Sequence, residues 1–188
     1  MLRTIVGYAG FSTTYAFLAQ KQDYLHNKVW LFAFYTHVFT SLFTLAAGFT
    51  QFSKYILQNH KKLHRSMGKL YIISVLFINV LAGFIMAIYA NGLLPSKTAF
   101  IILDILWFIF TYKGWQAALQ KDFKKHKQWM IRSYALTFSA ITLRTWRMIL
   151  NPIVPDTLTL YMIDAWMGFV PNLIFAEWLI RKGVQKNN

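Results

Sequence analysis

The chain contains no cysteine, and only six of its 188 residues are aspartate or glutamate. The first absence excludes disulfides, thiolate metal sites, iron–sulfur clusters and a cysteine nucleophile. The second leaves twenty lysines and arginines almost unopposed, for a net charge of +14. The short motifs of soluble chemistry are missing as well: there is no Gly-rich phosphate loop, no H-E-x-x-H zinc motif and no Ser–His–Asp arrangement. No Ser/Gly-rich linker divides the chain and no segment repeats another, which predicts one domain over residues 1–188.

What is plentiful is apolar. Hydrophobic residues make up 56% of the chain and aromatics 18%, with a mean hydropathy of +0.38, a composition seldom found in a soluble domain of this length. A charge of +14 on its own would suit nucleic acid. Here the basic residues fall between apolar runs of membrane-spanning length rather than along a polar surface, so a lipid bilayer is the expected partner and nucleic acid is not.

Six such runs are found, near 4–20, 30–52, 67–90, 98–118, 129–150 and 158–180. They predict an all-α fold, a polytopic membrane bundle of about six transmembrane helices. The first run is the weakest, being short and rich in Ser, Thr and Gly. It is counted as a span because a signal peptide would carry a more charged start and an A-x-A cleavage site.

Orientation follows from the basic residues, since cytoplasmic loops carry their excess. One side collects fifteen, among them Arg3, Lys61, Arg65, Lys124, Arg132, Arg181 and Lys186, against Lys21, Lys28 and Lys97 on the other. Both termini are therefore expected in the cytoplasm. The basic face should attract anionic lipid headgroups at about 1 kcal/mol per residue.

This topology sorts the histidines. His64, in "HKKLHRSMGKLY", and His126, in "KKHKQWMIRSYALTF", open the third and fifth spans on the same inner side. Gly68 and Tyr71 follow His64 at helical spacing, so an imidazole, a gap and a phenol share one face. One reading is a polar interfacial belt with ordinary small-residue packing. The other is a haem held between imidazoles of facing helices, with His64 and His126 as iron ligands. His37 lies about seven residues into the second span from the outer side, a depth of roughly 10 Å, too far away to join them.

Ionisable groups at one common outer depth form a second candidate site. His37, Asp104 of "FIILDILWFIF", Arg144 and Arg147 of "TLRTWRMIL" and Asp164 of "LYMIDAWMGF" come from four different spans. Charges in hydrocarbon cost upward of about 2.5 kcal/mol each and normally face the bundle interior in pairs. Either they form an ion-pair network that fixes packing, or they line a pocket for an anion or headgroup, with the arginines as bidentate donors and His37 as a proton acceptor or axial ligand. Pro171, beside Asn172, marks a kink in the sixth span under this pocket.

The span-embedded histidine together with "HKKLHRSMGKLY" and "HKQWMIRSYALTFSAITLRTW" resembles the bacterial integral membrane proteins grouped as domain of unknown function 2306, over most of the chain after about residue 30. More distantly, histidines on the second, third and fifth of six spans are similar to transmembrane b-type cytochromes. That resemblance implies a haem b between His64 and His126, electron transfer, and a quinone or other redox partner. His37 matches a second-span ligand, but the fourth span supplies Asp104 where those cytochromes have a histidine.

The charge asymmetry generates a first prediction. Reporter fusions after residue 188 and near residue 122 should read as cytoplasmic, and a fusion near residue 94 as external. Reversal of any one would invert the side assigned to every histidine.

Overall fold

The computed structural model describes residues 6–185, and among these there is no strand. Eight helices follow in chain order: α1 Lys28–Gln51, α2 Lys54–Asn59, α3 Lys61–Ile88, α4 Leu93–Leu119, α5 Phe123–Thr137, α6 Ser139–Leu150, α7 Thr157–Met167 and α8 Val170–Gln185. Four stretches are long and apolar enough to cross a membrane: α1, α3, α4, and Thr157–Gly183, in which α7 continues into α8. Arg3 and Lys186, and with them the chain ends, lie outside the described residues.

Several helices begin where the sequence supplies an acceptor for the free N–H groups of the first turn. The Asn27 side chain accepts from the Val29 and Trp30 amides at 3.1 Å, starting α1. Asp122 accepts from Lys125 N at 3.0 Å, starting α5, and Asp156 from Thr159 N at 2.8 Å, starting α7. The carboxyls of Asp122 and Asp156 are held below the usual range, chiefly by hydrogen bonds from these first turns. Before α4 the chain must reverse sharply, and Gly92 does so at φ +81°, a region closed to most side chains.

Two of the six expected spans differ from expectation. Through residues 6–20 no continuous helix forms; the stretch ends in a tight 3-10 turn at Ala16–Gln20, followed by another at Gln22–Tyr24. Gly7 and Gly10 lose the most backbone freedom in a helix, and the hydroxyls of the run Ser12–Thr14 compete for backbone hydrogen bonds. The fifth run is broken at Phe138 into α5 and α6, of 15 and 12 residues. At the break the Ser139 hydroxyl bonds back to the Leu136 carbonyl at 2.5 Å. The sixth run is interrupted just before Pro171, where a kink was expected. There Asn172 Nδ2 reaches the Gly168 carbonyl at 3.2 Å, the Ala135 carbonyl at 3.1 Å and the Thr142 hydroxyl at 2.9 Å, tying α8 to α5 and α6.

Polar side chains hold the centre together. In α3 the helix widens into a π turn over Ser74–Asn79, and buried Asn79 closes it by donating to the Ser74 carbonyl at 3.0 Å. The same amide donates to Thr44 and accepts from Thr40, both at 2.9 Å, which staples α3 to α1. On the other side of α3 the Tyr71 hydroxyl lies 2.8 Å from Ser133 and 2.6 Å from Thr137, while Trp107 Nε1 donates to Thr137 at 3.1 Å. These bonds join α3, α4 and α5 around a core that includes Val75, Leu136 and Phe169.

The segment before α1 folds over the end of the bundle where α1 starts and α3 stops. Tyr8, Leu18, Trp30 and Phe34 form a second apolar cluster there. Lys21 is buried at 1% exposure. Its ammonium donates to the Tyr89 carbonyl and, at 2.5 Å, to Asn91 Oδ1, and lies 4.8 Å from the Tyr24 ring centre.

Burial, with a smaller contribution from the charge of Lys97, brings the Lys21 ammonium down to about 8. A base whose folded value lies below its ordinary 10.5 is protonated more readily when released, so stability should rise as pH climbs from about 8 to 10.5. The gain is on the order of 3 kcal/mol. Melting of the detergent-solubilised protein across this window should show the rise in the wild type relative to Lys21→Met; parallel curves would refute it.

Candidate functional site

Between the N-terminal segment and helices α1, α3, α4 and α6 lies a cavity of about 560 Å³. It is built at the end of the bundle remote from the basic cluster. Trp30, Phe34, Phe100 and Trp107 supply aromatic wall, and His37, Asp104, Arg144 and Arg147 bring the polar groups. Four of the five residues expected at a common outer depth therefore line one space. The fifth, Asp164, stands behind it.

The two arginines differ in their partners. Arg147 Nη1 donates to Asp164 Oδ2 at 3.0 Å, and its guanidinium sits 5.4 Å from the centre of the Tyr161 ring. Asp164 is 2% exposed, and its other oxygen has no hydrogen-bond partner among the described residues. This pair is the packing network that the sequence allowed for. Arg144, one turn earlier on α6, donates only to the Ala140 carbonyl of its own helix, and no carboxylate pairs with it among the described residues. A guanidinium has five donors, and most of those on Arg144 are free.

Asp104 is the converse case. It is 4% exposed, yet neither oxygen has an ion-pair or hydrogen-bond partner in the described residues. Its carboxyl rests against α3 where Gly83 lacks a side chain; a Cβ there would lie 2.8 and 2.9 Å from the two oxygens. Glycine at this point admits the carboxyl to the cavity, and any larger residue would displace it.

His37 is oriented by the π turn. Its Nδ1 lies 3.2 Å from the Asn79 carbonyl, the residue whose side chain already staples α3 to α1. The imidazole is thus fixed from behind, an arrangement that sets which nitrogen is available in front.

The inner histidines are separate from this cavity. His126 Nδ1 bonds to the Gly114 carbonyl at 2.8 Å, which leaves Nε2 available. His64 Nδ1 is buried without a partner, and the two rings are close enough for their charges to interact. Gly68 and Tyr71 do not open toward them. The bare face of Gly68 looks onto Gln51 of the first helix, with Oε1 at 3.0 Å from where a Cβ would be, and the Tyr71 hydroxyl is engaged by Ser133 and Thr137. No group of three or more metal-ligating side chains occurs among the described residues.

With this geometry in hand, a family model described as predicted membrane protein (DUF2306) matches residues 34–180. The chain belongs to the DUF2306 family. Its match covers both histidine motifs and His37, Asp104, Arg144 and Arg147 of the cavity, while Gln20 and Lys21 belong to the N-terminal segment that precedes it. No curated protein and no solved structure matches the chain.

Sequence reasoning missed Asn79, Lys21 and the aromatic wall. A buried asparagine inside "VLFINVLAGF" was a visible signal, since an amide in a span needs partners. It also missed the bidentate pair of Arg132 with Glu177, at 2.5 and 2.9 Å, which joins α5 to α8 near the basic end.

Proposed function

We propose that this DUF2306 protein binds a small amphipathic anion in the cavity between α1, α3, α4 and α6. The observation that carries the reading is Arg144, a guanidinium with no carboxylate partner among the described residues, facing an aromatic-walled space of about 560 Å³. Pockets of this size suit small organic ligands whose apolar bodies are held by the walls and whose polar heads are fixed by a few groups. An anionic head would supply the partner that Arg144 lacks, and a quinone-like ring would satisfy the walls but not the charge. We further read it as a multi-pass protein of a bacterial inner membrane, with its basic end in the cytoplasm beside anionic lipids. Cation–aromatic pairs at that end support this placement: Lys113 and Arg132 each 4.7 Å from the Trp129 ring centre, and Lys182 4.8 Å from that of Trp178.

Two variants test the reading together. Arg144→Leu should weaken binding of decanoate, followed by tryptophan fluorescence, about tenfold or more, because a charge-assisted bond contributes about 1.5–3 kcal/mol. It should leave stability little changed, since it orphans no partner. Arg147→Leu should instead destabilise by about 3–5 kcal/mol by stranding buried Asp164. Unaltered decanoate affinity in Arg144→Leu would remove the basis for the anion site.

A second reading, haem-linked electron transfer, is favoured by one observation: the buried, unpartnered Nδ1 of His64 close to His126, whose own Nδ1 is anchored to a backbone carbonyl as iron-ligating imidazoles usually are. The two imidazoles fit haem iron by ligand type, and a b-type haem there would supply one-electron redox chemistry. Gly68 and Tyr71 contribute neither space nor a ligand. Protein expressed with ample haem should then show a Soret band that His64→Ala or His126→Ala abolishes; a colourless preparation would leave both as interfacial residues.

A further inference from the structure

We infer that the occupant of the outer cavity is a single-chain hydroxy acid: an amphiphile bearing a neutral hydroxyl close to its anionic group, rather than a plain acid. This rests on the anion-binding reading of the same cavity and narrows its ligand class.

The argument starts from the direction of hydrogen bonds. The Asn79 carbonyl beside His37 Nδ1 can only accept, so Nδ1 carries the hydrogen, and Nε2 of the neutral ring is a bare acceptor. Among the described residues no protein donor reaches Nε2, and His37 lines the cavity. Asp104 likewise lines it, with no donor to its oxygens. A carboxyl offers at least one acceptor oxygen in either protonation state. Lys21 and Arg147 also bring donors to the lining but are engaged by Asn91 and Asp164, and Gln20 is exposed. The polar inventory left without a protein partner among the described residues is therefore most of the Arg144 guanidinium and two acceptors, His37 and Asp104, on different helices.

A plain carboxylate fills only half of that inventory. It has no hydrogen to give, so it would satisfy Arg144 and leave His37 and Asp104 bare in a space from which its own chain has displaced water, a costly arrangement for buried acceptors. The occupant must also bring a donor. An ammonium is the charged alternative, but Lys21, Arg144 and Arg147 line the same cavity as the single unpaired carboxyl of Asp104. Like charges at that range oppose a further cation. A neutral hydroxyl meets the requirement without that penalty, and Trp30, Phe34 and Phe100 provide wall for one alkyl chain.

The test compares decanoate with 3-hydroxydecanoate, titrated into protein reconstituted in phosphatidylcholine nanodiscs. Tryptophan emission gives the readout, with Trp30 and Trp107 of the seven tryptophans lining the cavity, and empty discs provide the background. The hydroxy acid should bind about three- to tenfold tighter, the range expected for one added hydrogen bond. In His37→Phe, checked for folding by thermal melting, the ratio of the two affinities should fall to about one. The wild-type ratio decides the matter even if that variant fails to fold. Equal wild-type affinities for the two acids would overturn the inference while leaving acid binding standing, whereas no response to either acid would overturn the anion-binding reading as well.

Discussion

Hydrocarbon supplies no hydrogen bonds, so each polar group that the chain carries into the bilayer must find its partner in the protein or in something the protein holds. Most of the interior of this bundle follows from that constraint. Asn79 uses both ends of its amide, against Ser74 and Thr44 as donor and Thr40 as acceptor, and by doing so fixes α3 on α1. Tyr71, Trp107, Ser133 and Thr137 complete each other across α3, α4 and α5. Asn172 joins three elements in the same way. Each of these groups could turn only toward the protein, and the helices are assembled by where they turn.

Against that background the incomplete groups stand apart. Arg147 has Asp164, and the pair belongs with the architecture. Among the described residues Arg144 and Asp104 have no such arrangement, although both face the same cavity. They come from different helices, and nothing in the fold brings them into contact. The contrast between neighbouring arginines on α6 separates the side chains that hold the bundle from those that face its cavity.

Much of this was legible in the sequence, because a charge inside a long apolar run is conspicuous. His37, Asp104, Arg144, Arg147 and Asp164 were singled out by position alone, the first four line one cavity, and α1, α3, α4 and Thr157–Gly183 match the apolar runs that predicted them. Less legible was anything decided by partner rather than by type. The two arginines of "TLRTWRMIL" look alike in sequence, and only the fold gives Asp164 to one of them. The break at Phe138 has no proline or glycine to announce it. The stretch before residue 20 was apolar enough for a span but too rich in glycine and hydroxyls to hold a helix. The outward appearance of "HKKLHRSMGKLY" was equally incomplete: Gly68 and Tyr71 do share a face with His64 in sequence, yet one meets Gln51 and the other a ring of hydroxyls.

The π turn at Ser74–Asn79 sets the angular phase of α3. One residue inserted into a helix advances everything beyond it by about 100° relative to an unbroken α-helix. The two halves of α3 are thereby keyed to different neighbours: Tyr71, before the turn, is aimed at α5, and Gly83, after it, is aimed at Asp104 on α4. The halves are not interchangeable in register, and the angular offset between them is carried by a single amide side chain. The geometry of the cavity is thus a property of how many residues lie between Tyr71 and Gly83, as much as of which residues they are.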